Sequence, residues 1–372
     1  MPTGVSNSDL LDLTRTTLEN LPDQEIEVAL EFQRYHVINQ WMRNDRTEVD
    51  SGTSIKRNIF LDTSGNAKFV RLYQKTAIGV TDVQQHITGP WVQAQTHWSI
   101  ERREALRNRA PARFVRLIQG RRIDATVDLC DLLERRAWSA PQSATDDLNP
   151  RGVPYWLSFR DDDDSGEGFD GDTIRYAGGT SASNDKGGID PSQASNAKWR
   201  NWAATYTSVN ADFVQKMRKA FHATHFESPM LAKDLESGPA SQYRLYMNLD
   251  TLTMYEDLAT KQNDNLGRDV DPFHGITTFK KVPIHYTPQL DSFLVSGGTS
   301  GTTSVDAVYG INHAKFVPFV LEGDWMRESD PMMDVELHNV ITTFVDSSFQ
   351  FICLNVREGG FVLHKNVAAV GT

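Results

Sequence analysis

Asp161, Asp163, Ser165, Gly166, Glu167 and Asp172 stand near positions 1, 3, 5, 6, 7 and 12 of a helix-loop-helix calcium loop, whose spacing wraps oxygen ligands around one hard cation. The pattern fails where coordination is most demanding. Position 12 is Asp in place of the bidentate Glu, and the strand-like run Tyr155-Trp156-Leu157-Ser158-Phe159 precedes the loop in place of a helix. Asp, Gly and Ser dominate residues 161–188, a composition that favours solvated backbone over packed structure. A loop of that length, beyond roughly 12 to 15 residues, is usually functional, which points to a surface that meets another surface.

Other reactive side chains lack partners. His222 and His225 have no further zinc ligand nearby, and Asp250, Glu256, Asp257 and Asp264 read as the solvated side of a helix. Neither a G-x-S-x-G elbow nor a G-x-x-x-x-G-K-[ST] phosphate loop occurs. Trp199 and Trp202, with Tyr206 beyond them, fit either one helical face or an alternating strand. Core packing is the default for such a group, with a sugar- or base-stacking platform as the functional alternative. The expectation is therefore no catalytic residue, no cofactor and no metal, hence no enzyme. A calcium-dependent module or enzyme built on 161–172 is the alternative of a different class.

The elements follow from periodicity. Ser6-Asn7-Ser8 before Leu10, Leu11, Leu13 and Leu18 has the form of a capped helix, and after Pro22 the residues Ile26, Leu30, Val37 and Trp41 resume the stripe. Residues 55–61 and 67–73 are β-branched, aromatic and basic by turns, and predict a hairpin joined by a five-residue turn at 62–66. Its cations, Lys56, Arg57, Lys68, Arg71 and Lys75, serve either to protect edge strands from unwanted pairing or to meet an acidic partner. Residues 111–139 predict a long helix ended by Pro141, and eight arginines between Arg102 and Arg122 make its first half basic. Ion pairs within or between chains are the expected use of those arginines.

Further along, 210–221 and 249–263 predict helices, the second with Tyr255 and Leu258 inward. Residues 243–248, 277–282, 284–287, 315–321, 340–346, 349–356 and 361–364 predict strands, and 296–304 a Gly/Ser/Thr surface loop. Blocks of helices and strands of this kind give an α+β fold.

The chain has 372 residues, 39% hydrophobic and 10% aromatic, enough to build a sizeable core and to exclude a wholly disordered polymer. A net charge of -11 argues against coating nucleic acid by phosphate neutralisation. Residues 1–21 lack the basic start and apolar run of a secretory signal, and no stretch reaches the roughly 20 apolar residues of a membrane span. Synthesis as a soluble cytosolic chain is expected, with Cys130 and Cys353 as buried free thiols.

Four segments in order resemble the major capsid proteins of tailed bacteriophages: Asn149-Pro150-Arg151-Gly152-Val153-Pro154-Tyr155-Trp156-Leu157; Lys198-Trp199-Arg200-Asn201-Trp202; Asp257-Leu258-Ala259-Thr260-Lys261-Gln262-Asn263-Asp264-Asn265-Leu266-Gly267; and Val308-Tyr309-Gly310-Ile311-Asn312. The similarity runs from about Thr81 to Lys365, carried by order and spacing together. It implies the Hong Kong 97 type capsid fold: an N-terminal arm and helix (1–50), an E-loop hairpin (51–80), a P-domain with a spine helix (81–150), an A-domain (151–318) and P-domain return strands (319–372).

The resemblance also implies a structural shell protein of the virion, assembled in the host bacterial cytoplasm as hexamers and pentamers of an icosahedral procapsid that matures around packaged double-stranded DNA, without sequence-specific contact and without a membrane. A separate scaffolding protein, a portal and a decoration protein are the partners it brings. Within it, Lys56, Arg57, Lys68, Arg71, Arg102 and Arg103 become candidate subunit-interface residues. Some members link lysine to asparagine covalently, but nothing local in this chain identifies that reaction. An encapsulin-like nanocompartment shell is the close alternative.

Overall fold

A single strand, Val340–Cys353, organises the first of the two large sheets among the described residues. Its β-branched and aromatic run suits a pleated, buried surface. The computed structural model describes residues 35–72, 74–75, 84–107, 111–159, 167–176, 182–224, 242–262, 277–280, 282–291, 294–295, 303–304, 306–333 and 339–365. The helices expected before residue 35, the side chains of Asp161, Asp163, His225 and Asp264, and most of 296–304 lie outside the described residues.

Along one side the long strand pairs antiparallel with Val92–Glu101, from Val340 opposite Glu101 to Phe349 opposite Val92. Along the other it meets Phe316–Leu321, Arg327–Glu328 and Met332–Met333 in turn, and Thr47–Val49 adds in parallel beyond Phe316–Leu321. The sequence reading broke this strand after residue 346. Ser347 and Ser348 do not interrupt it, because each ties a neighbouring turn: Met326 N–H donates to the Ser347 hydroxyl over 2.9 Å, and Ser348 bonds Asp324 through both backbone and side chain.

Val92–Glu101 alternates strictly, with Val92, Ala94, Thr96, Trp98 and Ile100 buried and Gln93, Gln95 and His97 exposed. The helix Pro111–Ala137 lies against it, presenting Ala125, Leu129, Leu133 and Ala137 at helical spacing. That helix matches the expected one to within two residues at its end.

The second sheet has seven strands in the order Thr278–Phe279, Val282–Tyr286, Tyr243–Met247, Val308–Asn312, Gly360–Lys365, Asn201–Tyr206, Glu167–Gly171. Alternate residues face opposite layers. Ala203, Tyr246, Tyr309 and Val362 join the core shared with the first sheet, while Trp202, Leu245, Val308, Phe361 and Leu363 pack under the helices Ala211–Thr224 and Leu249–Gln262. Central strands buried on both faces read as continuous apolar runs, as Val308–Asn312 does. Gly310 sits opposite Phe361, and a Cβ there would enter the Phe361 ring.

Three expectations are corrected. Tyr155-Trp156 belongs to a helical turn, Val153–Trp156, begun by Gly152 with Pro154 in its first turn; all four residues are buried, so no period separates helix from strand. Residues 361–364 were expected in the first sheet with the rest of 319–372, yet Gly360–Lys365 inserts into the second, between Val308–Asn312 and Asn201–Tyr206. The expected hairpin pairs elsewhere: Ser54–Phe60 takes Gln84–Pro90 as its partner, not 67–73. Of the cysteines, Cys353 is buried and Cys130 half-buried, and burial pushes their thiols up to about 12 and about 11, far from thiolate reactivity.

The entering chain is fixed at the junction of both sheets. Trp41 is fully buried, its indole N–H donating to the Tyr246 hydroxyl over 2.8 Å, and that hydroxyl shares a 3.0 Å hydrogen bond with His313. Glu134 of the long helix accepts from Val37 N–H over 2.8 Å and from the Trp138 indole over 3.2 Å.

Burial raises the Glu134 pKa to about 7. A folded value above the unfolded one means that this group's contribution is complete below about pH 4.5 and is lost as pH rises through about 7. Glu134→Gln removes the titration and also one acceptor. The stability difference, variant minus wild type, should therefore move by about 3 kcal/mol toward the variant between pH 4.5 and 8, read from urea unfolding of both proteins at each pH. Parallel pH profiles would refute this assignment.

Candidate assembly surface

The paired strands Ser54–Phe60 and Gln84–Pro90 form an arm, a two-stranded ribbon that is marginal unless something holds it. What holds its root is the far end of the acidic loop. Thr88 N–H donates to the Gly187 carbonyl over 2.8 Å, the Arg151 guanidinium donates to the Thr88 carbonyl over 2.5 Å, and the Gln85 amide donates to Asn196 over 2.9 Å. Gln350 of the long strand donates to the Pro90 carbonyl over 2.9 Å, and Lys198 pairs with Asp62 at 2.6 Å. Ile55, Leu61 and Ile87 are buried against this bed.

The bed is a buried polar knot. Lys186, fully buried, donates its amine to the Gly171 carbonyl and, over 2.7 Å, to Asn201 Oδ1; burial pulls its pKa down to about 7. Asn201 in turn donates to the Ser158 carbonyl over 2.8 Å, and the Trp199 indole to the Lys186 carbonyl over 2.9 Å. Trp199, Trp202 and Tyr206 are all buried, so the tryptophan pair is core and not a stacking platform. Residues 161–188 are thus structured where they are described: Glu167–Gly171 is a sheet strand, Ile174–Arg175 pairs with Ala182–Ser183, and 186–189 is a turn.

The calcium alternative fares no better in space. Among its described members Glu167 is ion-paired with Lys219 and Asp172 lies 3.7 Å from the Arg200 guanidinium. Among the described residues no three His, Cys, Asp or Glu side chains converge as a metal ion requires. A cleft of about 340 Å³ between the helices Ala211–Thr224 and Leu249–Gln262 is lined by Val214, Tyr255 and Phe279 with Arg218 and Lys280, whose amine lies 3.3 Å from His222 Nε2.

Beyond Leu61 the arm changes character. Every described residue from Asp62 to Lys75 is exposed, and none belongs to a strand or helix. Phe69 is fully exposed, Leu72 86%, Phe60 61% and Val70 57% exposed. Four large apolar side chains on one thin projection amount to an interaction patch, since single exposed apolar residues are ordinary but clusters are not.

Of the six candidate interface residues the fold brings four together on this arm. Lys56, Lys68 and Arg71 are exposed there, and Arg57 lies 5.3 Å over the Phe319 ring. Arg102 and Arg103 sit apart, at the far end of Val92–Glu101. Arg103 lies 3.6 Å from Glu101, and Arg102 N–H donates to the Asn339 carbonyl over 3.0 Å. Further along the basic stretch Arg121 binds Glu104 at 2.7 Å and Arg122 binds Glu328 at 2.6 Å, both within the chain. Phe69, Val70 and Leu72 fit one strand of the expected hairpin, and what marks them in the structure is that no strand among the described residues pairs with them.

No family model matches the chain, and no curated protein matches it either. Solved structures do. The chain is similar to a subunit of the cyanophage A-1(L) capsid asymmetric unit, with a TM-score of 0.59 at 10% identity over 95% of this chain and 99% of that one. It is also similar to a subunit of the capsid of Myoviridae phage XM1, with a TM-score of 0.50 at 8% identity over 93% of this chain and 97% of that one. The fold is the Hong Kong 97 type of phage capsid subunits. Coverage is near-complete in both directions, at an identity that speaks for the fold alone.

Proposed function

We propose that this chain is the major capsid protein of a tailed bacteriophage, a structural subunit that closes into an icosahedral shell around double-stranded DNA. The observation that carries this reading is the exposed apolar and basic tip of an arm whose root is firmly bonded to the body, on a chain with a phage capsid fold. In this reading the arm is the E-loop, the sheet built on Val340–Cys353 with its long helix is the P-domain, and the sheet containing Val308–Asn312 is the A-domain. Copies join as hexamers and pentamers, and the virion is the chain's final location. Scaffolding, portal and decoration partners follow from the same reading, with assembly in the host cytoplasm.

Lys56, Lys68 and Arg71 then lie over a neighbouring subunit. One exposed ion pair gives only about 0 to 1 kcal/mol, so the apolar side chains between them supply most of each contact, at about 1.5 to 3 kcal/mol apiece when fully buried. A closed shell repeats that contact by symmetry. Arg121 and Arg122 already hold carboxylates of their own chain, which supports a net acidic lumen that lets DNA move during packaging.

Sedimentation of the expressed chain, alone and beside its genomic neighbours, tests the reading. Particles of capsid size are expected. A strictly monomeric chain under both conditions would overturn it.

A further inference from the structure

We infer that two proton-sensitive joints, one at His313 and one at Glu134, hold the entering residues 36–45 to the body and pull against each other, so that the hold stays nearly constant from neutral to mildly acid pH. The device belongs to the folded chain alone and does not depend on assembly.

The first joint is the Tyr246 hydroxyl. Trp41 donates its indole N–H to that oxygen over 2.8 Å, the Arg244 guanidinium hydrogen-bonds it as well, and neither group can accept in return. Both lone pairs of the oxygen are thereby filled. Its own proton then goes to His313 Nε2, 3.0 Å away, which leaves that nitrogen bare and puts the ring proton on Nδ1. A proton on Nε2 would set a third donor against the same oxygen. Asp45 stands 3.9 Å from Nδ1 but already binds Arg244 at 3.0 Å, while Arg244 and His285 oppose a further positive charge. His313 is buried between the rings of Trp41 and Phe316, and that burial, with the two neighbours, holds its pKa well below the usual imidazole range. Protonation therefore favours release.

The second joint titrates the other way. Besides the N–H groups of Val37 and Trp138, the Glu134 carboxyl takes a hydrogen bond from the His36 backbone. Among the described residues no cation pairs with it, since the adjacent Arg135 is bound to Asp131 at 2.6 Å, and Asp131 itself adds negative charge. The other titratable groups facing it, Tyr35, Cys130 and Tyr246, are all pushed toward their neutral forms. A buried carboxyl without a counter-ion is better off protonated. Here the proton favours the hold.

Linkage gives the sizes. A freed imidazole titrates near its ordinary 6.5, so His313 should favour release about thirtyfold more at pH 5 than at pH 7.5. Glu134, moving from 4.5 when freed to about 7 when held, should disfavour release about sixtyfold over the same span. The two nearly cancel.

Hydrogen exchange of peptides spanning 36–46, corrected for the intrinsic pH dependence of exchange, reads the opening constant of this stretch. From pH 7.5 to pH 5 the ratio of that constant in Glu134→Gln to the wild type's should rise about sixtyfold, and the ratio for His313→Gln should fall about thirtyfold. Asp45, His36 and His285 are common to all three proteins and drop out of both ratios. Either ratio staying within threefold would overturn the opposed joints. Nitrogen-15 spectra of the wild type labelled in histidine test the first joint without a variant: His313 should show the Nδ1–H tautomer and stay neutral down to pH 5. A proton on Nε2 at pH 7.5, or an ordinary midpoint near 6.5 in the folded chain, would refute it. Both measurements use the unassembled chain, so their failure leaves the shell reading standing.

Discussion

A chain lacking Asp62 to Leu72, closed by a short Gly-Ser linker after Leu61, should fold and stay soluble but form no closed shell. The deletion removes no core: every residue in it is exposed, while Ile55, Leu61 and Ile87, which seat the arm root, all remain. Among the described residues the exposed Lys198–Asp62 pair ties this segment to the body, and it contributes within about 1 kcal/mol. Assembly loses far more. Phe69, Val70 and Leu72 each bring about 1.5 to 3 kcal/mol to a contact that buries them. Losing even about 3 kcal/mol per contact is more than a hundredfold in each association constant. Circular dichroism and melting close to wild type, with sedimentation confined to monomers and small oligomers, is the expected pair of results. Closed shells of normal size from this variant would show that the tip makes no essential contact.

Gly152→Ala should be among the more damaging single methyl additions to the body. A Cβ at residue 152 would lie under 3.0 Å from the carbonyl oxygens of Arg136, Ala137 and Ser139, which end the long helix. These are backbone atoms and cannot rotate aside as a side chain would. The residue also begins the Val153–Trp156 turn, so moving it shifts Trp156, whose indole donates to the Phe351 carbonyl over 3.0 Å in the centre of the core. Overpacking of this kind costs about 3 kcal/mol or more. The matched control is Gly120→Ala in the same helix, where nothing lies within 4 Å and the position is exposed. There alanine should stabilise by about 0.5 to 1 kcal/mol, because glycine is the poorer helix former. Opposite shifts from one chemical change, read by urea unfolding, check the packing of the helix end directly.

The long helix was legible because Phe114 to Ala137 keeps its spacing over many turns and Pro141 follows. Its neighbour Val92–Glu101 was passed over, although Val92, Ala94, Trp98 and Ile100 alternate with polar residues, because Gln, Thr and His dominate the intervening positions and dilute the apolar signal. The arm illustrates a different limit. Residues 55–61 and 67–73 are both β-prone and adjacent, so local reasoning joins them, whereas the fold closes a longer loop to reach Gln84–Pro90. Propensity identified the strand-forming run but not its partner.

Lys186 and Asn201 show what charge patterns conceal. Lys186 sits among Asp, Gly and Ser and reads as surface, yet it is fully buried and knots the arm's bed to the second sheet. Nothing local signals that. The acidic loop's composition signalled neither its ordered strands nor the hold that Gly187, with Asn196 beyond the loop, takes on the arm of the same chain. Of the interface candidates, the cations of the hairpin were picked out by their sign in an acidic chain, while the apolar side chains between them were taken for a paired strand.

In a closed shell the arm tip should engage a neighbouring subunit. A cryo-electron microscopy reconstruction of assembled particles tests it most directly. Continuous density is expected from Leu61 across the boundary between copies, with Phe69 and Leu72 buried on the next subunit. Arms that lie wholly on their own chain, or project into solvent from a complete shell, would contradict it.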